Sequence, residues 1–110
     1  MSQYLTTASK ILNPDKKTLR DAMETLVRLN KGKLTVFNGE HMRIMCGQLS
    51  HFGVEVKVVN DQLVVSAEDF EMQRVKGVIE KYYTAQVAAE EYQAEIQMNE
   101  ENNLVLMCEV

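Results

Sequence analysis

The sequence predicts an α+β fold in which two helices pack on one face of a mostly antiparallel sheet. Apolar residues recur at helical spacing in two segments, one after residue 15 and a longer one after residue 69. Elsewhere, apolar and polar residues alternate in short runs that are joined by turn-forming dipeptides. Burying both helix stripes against one sheet is economical, and the predicted order of elements is β-α-β-β-β-β-α-β(-β).

The first strand and the first helix follow from local preferences. Residues Gln3 to Leu12 are rich in β-favouring side chains. In the following Asn13-Pro14-Asp15, Asn is a good N-cap, Pro is tolerated in the first turn, and Asp suits the positive end of the helix dipole. The predicted apolar stripe of this helix consists of Leu19, Ala22, Met23, Leu26 and Val27.

The segment 33–52 supports two interpretations. A short strand over 34–37 leads into Asn38-Gly39, a dipeptide that accepts the positive φ angles of a tight hairpin turn. A returning strand would then alternate through Met42, Ile44 and Cys46. The alternative is a helix ending at Gly53, with an apolar stripe formed by Met42, Met45, Leu49 and Phe52. We favour the hairpin.

The segment 54–65 predicts a second hairpin, because alternating valines lead into the tight turn Asn60-Asp61 and an apolar strand returns. Residues 66–69 read Ser-Ala-Glu-Asp, which resembles a capping box and predicts the start of the long helix. Gly77 interrupts this helix and predicts close packing against a neighbour. The predicted buried stripe consists of Phe70, Val75, Val78, Ile79, Tyr82, Ala85, Ala89 and Tyr92.

The end of the sequence predicts a last strand pair. Residues 94–98 and 104–110 favour strands, and the polar residues 99–103 between them favour a turn. With 110 residues, of which 45% are hydrophobic and 25% charged, the chain predicts a single α+β domain over 1–110.

Sequence composition indicates the cellular compartment of the protein. The N-terminal residues lack the pattern of an export signal, and no apolar run reaches the roughly 20 residues of a membrane span. Cys46 and Cys108 are interpreted as free thiols of a reducing compartment. These features predict a cytoplasmic protein without membrane association.

Charge is divided unevenly along the chain. Residues 1–57 contain 9 Lys and Arg against 5 Asp and Glu, whereas residues 58–110 contain 3 against 11. Such asymmetry can steer partners or self-association, or can reflect solvated faces. Direct binding of nucleic acid is disfavoured, because the isoelectric point is near 5.2 and the acidic half would repel phosphates.

Several details resemble the uncharacterised family of hypothetical chloroplast reading frame thirty-five, which also occurs in cyanobacteria and phages. They are the opening Met1-Ser2, the glycine turn at Asn38-Gly39, the strand pair over 56–67, a helix containing Lys81-Tyr82-Tyr83, and the closing strand Leu104-Val105-Leu106. The family usually carries a His after its aromatic pair, where this chain has Thr84-Ala85. Because the family has no established activity, the resemblance implies a fold and no function.

The residues with the most chemical potential are His41, Cys46 and His51. Their spacing of five places Cys46 away from both histidines on a helix and on the opposite face of a strand, which argues against a metal site. No glycine-rich loop follows a strand and opens a helix, so we expect no nucleotide cofactor.

Without a convergent polar site, the sequence predicts a non-catalytic protein–protein interaction or accessory module that self-associates as a homo-oligomer. A Met-rich strand edge would suit such a surface. One alternative is an acidic regulator that binds a basic surface of a nucleic-acid-binding protein. Its candidate residues are Glu90, Glu91, Glu95, Glu100 and Glu101. The other alternative is a small ligand-binding protein or enzyme that uses Cys46 and His41.

Overall fold

The computed structural model describes residues 3–108 and confirms the predicted α+β fold and its element order. A five-stranded antiparallel sheet has the strand order β1-β5-β4-β3-β2, and β6 pairs with β7 in a separate two-stranded sheet. The elements are β1 (Tyr4–Leu12), α1 (Lys16–Leu29), β2 (Lys33–Asn38), β3 (His41–Met45), β4 (Val54–Val59), β5 (Gln62–Glu68), α2 (Met72–Tyr92), β6 (Ala94–Met98) and β7 (Leu104–Cys108). The predicted end of the last strand, residues 109–110, lies outside the described residues.

The core lies between the helices and one face of the large sheet. Helix α1 packs on β2 and β3, α2 packs on β1 and β5, and the two helices contact each other. Alternate residues of the central strands point into this space and are buried: Met42, Ile44, Val54, Val56, Val58, Leu63, Val65 and Ala67. The opposite face of the sheet carries the intervening polar residues. No helix within residues 3–108 has the length and apolar character needed to cross a bilayer.

The segment 33–52 contains the hairpin and not the helix. Strands β2 and β3 pair in antiparallel register, but their turn differs from the one that the dipeptide predicts. Neither Asn38 nor Gly39 adopts a positive φ, and the Asn38 Oδ1 atom accepts a hydrogen bond from the Glu40 backbone N–H at 2.7 Å. Asn60 and Asp61 do adopt positive φ angles, of 51° and 61°, as a two-residue turn between twisted strands requires.

The start of α1 is set by Asp15, and the predicted N-cap at Asn13 is wrong. The Asp15 carboxylate accepts a hydrogen bond from the Thr18 backbone N–H at 2.9 Å, which lowers the pKa of that carboxyl. Asn13 instead has a φ of 50°, and its N–H donates to the carbonyl oxygen of Asp61 at 2.6 Å. The end of β1 is thereby joined to the β4–β5 turn.

The predicted capping box before α2 is also wrong. Ser66 belongs to β5, where its hydroxyl lies 2.7 Å from that of Thr6, and a single 3-10 turn at Asp69–Glu71 precedes the helix. Five residues of α2 are buried: Met72, Val75, Ile79, Tyr82 and Ala89. Phe70 and Tyr92 were expected in the buried stripe, but their exposed fractions are 66% and 63%.

The prediction for Gly77 is wrong as well. A Cβ atom at Gly77 would have no neighbour within 4 Å outside its own helix backbone, so no close contact requires glycine there.

Candidate interaction surfaces

The β6–β7 hairpin is attached to the rest of the molecule by few buried side chains. In its two strands Ile96 is buried, and Leu104 packs partly buried against the main core. Both strands contact α2, and β6 also contacts α1. In β7, Leu106 and Met107 are exposed by 36% and 51%. The hairpin therefore presents apolar side chains to solvent as well as to the helices.

Within residues 3–108, each sheet ends in two strands that pair on one side only, namely β1 and β2 in the large sheet and β6 and β7 in the small one. Residues 8–10 of the β1 edge are covered by α2: the Lys10 N–H donates to Glu80 at 3.0 Å, and Lys76 Nζ donates to the Ala8 carbonyl oxygen at 3.5 Å. Register shifts also interrupt the pairing of β1 and of β2. These features discourage the addition of another strand.

Strand β7 shows none of these protections in the described part of the chain. Its residues Leu104–Cys108 read LVLMC, without a charge or a proline, and its register with β6 is uninterrupted. Strand β6 carries one charged residue, Glu95, and β2 carries Lys33. Among these edges, β7 is the one best suited to pairing with a further strand.

The five predicted acidic residues are exposed and belong to three consecutive elements. They lie at the end of α2 (Glu90, Glu91), on β6 (Glu95) and in the β6–β7 turn (Glu100, Glu101). Glu90 has a structural contact, since its carboxylate accepts hydrogen bonds from the Thr18 hydroxyl at 2.9 Å and the Gln86 amide at 3.3 Å. None of the five takes part in an ion pair within residues 3–108.

The structure does not bring His41, Cys46 and His51 together. Cys46 is buried on the helix side of the sheet, with its Sγ 3.5 Å from the Asn30 carbonyl oxygen. His41 points to the opposite face, and His51 is exposed in the loop before β4. No group of three His, Cys, Asp or Glu side chains between residues 3 and 108 is placed to hold a metal ion.

On the open face of the sheet, polar side chains from neighbouring strands form a network that the sequence reasoning missed. The His41 Nε2 atom lies 2.6 Å from a Glu55 carboxylate oxygen, and the His41 ring centroid lies 4.6 Å from that of Phe37. The Tyr4 hydroxyl donates to the Gly53 carbonyl oxygen at 3.1 Å, and desolvation by burial raises the pKa of Tyr4. Alternation along β3 and β4 shows which residues face outward, but the contacts depend on the register between strands.

A second network connects the loop after β3 to α2. The Ser50 hydroxyl donates to the buried carboxylate of Glu71, which also accepts a hydrogen bond from Arg74. The Arg74 guanidinium donates to the Leu49 carbonyl oxygen at 2.7 Å. This loop is therefore held in one position against the helix.

Between the loop, the two helices and the β6–β7 hairpin lies a cavity of about 190 Å³. Its lining residues are Leu26, Asn30, Gln48, Leu49, Val78, Lys81, Tyr82, Met98 and Asn102. The Asn30 amide nitrogen donates to the Tyr82 hydroxyl oxygen at 2.9 Å and to the Leu26 carbonyl oxygen at 2.8 Å. Burial raises the pKa of the Tyr82 phenol, so it is neutral at physiological pH.

No family model, curated protein sequence or solved structure matches this chain. The resemblance to the chloroplast reading frame family therefore stays a prediction.

Proposed function

We propose that this protein is a non-catalytic interaction module that self-associates through the free edge of β7. The observation that carries the proposal is the contrast between this uncharged, regular edge and the edge of β1, which α2 covers at residues 8–10 and a register shift interrupts. Because no charged side chain lies in β7, a second strand meets neither electrostatic repulsion nor a desolvation penalty from ionised groups there.

In the proposed dimer, β7 of one copy pairs antiparallel with β7 of a second copy about a two-fold axis. The two hairpins then form one four-stranded sheet, which removes both free β7 edges. The side chains of Leu106 and Met107, exposed in the single chain, lie next to the junction. Since each strand is five residues long, we expect a small interface and a concentration-dependent equilibrium.

The test is sedimentation velocity over a concentration series of the full chain. The wild type is expected to shift from monomer towards dimer as concentration rises, and Leu106→Lys is expected to stay monomeric because it places a charge at the junction. Leu12→Lys is the matched control, since Leu12 is an exposed leucine of the covered β1 edge. A wild type that remains a monomer throughout, or a dimer that Leu106→Lys does not weaken, contradicts the proposal.

A second candidate is the acidic regulator that binds a basic surface of another protein. It is favoured by the exposure of Glu91, Glu95, Glu100 and Glu101, whose side chains make no hydrogen bond within residues 3–108. An oligolysine peptide serves as the probe for this surface. Binding is expected to weaken steeply with salt and on changing Glu95, Glu100 and Glu101 together to Gln, whereas Glu24→Gln on α1 serves as control. Binding that is insensitive to salt contradicts this candidate.

A further inference from the structure

We propose that the cavity between the helices and the hairpin is a binding site for a small aromatic molecule that carries one carboxylate. The site is separate from the β7 edge, and the proposal does not depend on self-association. It rests on the size of the cavity, on the distribution of its polar groups and on the fixed position of its walls.

The size of the cavity suits one ring with a short substituent. A dry, enclosed protein cavity of about 150 Å³ holds benzene, and this cavity, which is partly open to solvent, measures about 190 Å³. Four apolar side chains contribute to its lining: Leu26, Leu49, Val78 and Met98. A planar apolar group in contact with these side chains would displace water, with which the side chains cannot form hydrogen bonds.

The polar groups of the lining favour an anion. Lys81 is the charged residue among them, and its ammonium group makes no ion pair within residues 3–108. Asn30 donates to the oxygen of Tyr82, which leaves the neutral O–H of Tyr82 available to donate to a ligand. An ammonium and a hydroxyl donor together suit one carboxylate. Among residues 3–108, no carboxylate lines the cavity, so a cation would find no ligand of opposite charge there.

Hydrogen bonds within the protein hold the walls in place. The Leu49 carbonyl oxygen accepts a hydrogen bond from Arg74. The Asn30 amide donates hydrogen bonds to the Leu26 carbonyl oxygen and to the Tyr82 hydroxyl oxygen. On the hairpin side, the Asn99 side chain accepts hydrogen bonds from the backbone N–H groups of Glu101 and Asn103. A preformed site of this kind loses little conformational entropy on binding.

The experiment is an NMR titration of the full chain with benzoate, with benzamide as the neutral analogue. Benzoate is expected to give saturable shifts at the cavity-lining amides, with a dissociation constant on the order of 1 mM. Lys81→Gln is expected to weaken benzoate binding about three- to tenfold and to leave benzamide binding unchanged. Lys57→Gln, on the open face of the sheet, is the control and is expected to bind benzoate as the wild type does.

Tyr82→Phe is a second variant, expected to weaken both probes because it removes the hydroxyl donor. Leu106→Lys is expected to bind benzoate normally, which separates this site from the proposed self-association. Absence of saturable shifts with benzoate overturns the inference. Equal benzoate affinity in the wild type and Lys81→Gln also overturns it, because the carboxylate would then not be recognised.

Discussion

The β1 edge of the five-stranded sheet and the β7 edge of the hairpin differ in how they meet solvent. Along β1, side chains of α2 hydrogen-bond to the backbone, and a register shift interrupts the pairing. Along β7, the backbone is regular and its five side chains are uncharged. The β1 edge is thus protected against the addition of another strand, whereas the β7 edge is not.

The two regions also differ in how deeply they are buried. The central strands place fully buried residues such as Val56 and Leu63 under the helices, whereas in β6 and β7 Ile96 is the one buried side chain. The large sheet therefore supplies the stability of the domain. The hairpin contributes less to it and can present its edge to a partner.

The largest expected effect tests this division of stability. Leu63→Ala creates a cavity under the helices and is expected to lower the free energy of unfolding by about 2–5 kcal/mol. Leu106→Ala removes a partly exposed side chain of the hairpin and is expected to cost less than about 1 kcal/mol. Chemical denaturation of both variants measures the difference. Equal losses would show that the hairpin is as deeply coupled to the core as the sheet.

A smaller effect concerns the protection of β1. Glu80→Ala removes the acceptor of the Lys10 N–H and is expected to cost about 1 kcal/mol. It also uncovers the β1 edge, so we expect stronger self-association than in the wild type at equal concentration. Sedimentation velocity checks the association, and Glu91→Ala, on the same helix but outside this contact, is the control. Unchanged association would mean that the Glu80 contact does not protect this edge.

Helix α2 contacts both regions, and Gly77 tests its role. Because a Cβ atom there meets open space, Gly77→Ala is expected to raise the free energy of unfolding by about 0.5–1 kcal/mol. Thermal unfolding measures this gain, and hydrogen exchange shows whether sheet and hairpin share it. Faster exchange in β7 would reveal that the added methyl group disturbs the docking of the hairpin.

The smallest expected effect is a pH dependence at the two tyrosines, one on each side of the comparison. Desolvation raises the pKa of Tyr4 on the sheet and of Tyr82 beside the hairpin above their ordinary value of 10.0. The folded state therefore favours the neutral phenols. This stabilisation is fully present below pH 10 and is lost as pH rises through the folded-state pKa values. A pH titration followed by phenolate absorbance, compared between the wild type and the variants Tyr4→Phe and Tyr82→Phe, assigns the deprotonation of each tyrosine. Deprotonation of either tyrosine at its ordinary pKa contradicts the burial of that residue.

The elements of this fold were predictable because periodicity is a local signal. The valines of β4 and the turn Asn60-Asp61 predicted the β4–β5 hairpin correctly. The apolar stripe of α1 predicted that helix correctly. Local signals failed where distant partners compete with them. Ser66 has the local character of a helix cap, but pairing with Thr6 and Glu55 holds it in β5.

The candidate surfaces were less accessible to sequence reasoning. The uncharged run at Leu104–Cys108 and the five acidic residues were visible in the sequence. In the structure this run forms an edge strand, and the acidic residues are exposed. The cavity was not visible, since Asn30 and Tyr82 become neighbours only when α1 and α2 pack together. The cover of β1 by Glu80 likewise depends on how α2 lies across the sheet.

The strand order of the large sheet has a consequence for the route by which the chain folds. Strands β2 to β5 follow one another along residues 33–68 and are neighbours in the sheet, so each pairing closes a short loop. Strand β1 pairs with β5 at the far side, where Thr6 meets Ser66 across 60 residues of chain. Closing that long loop costs more entropy. We therefore expect β1 to join the sheet last, after β2 to β5 have paired and β5 presents a free edge to it.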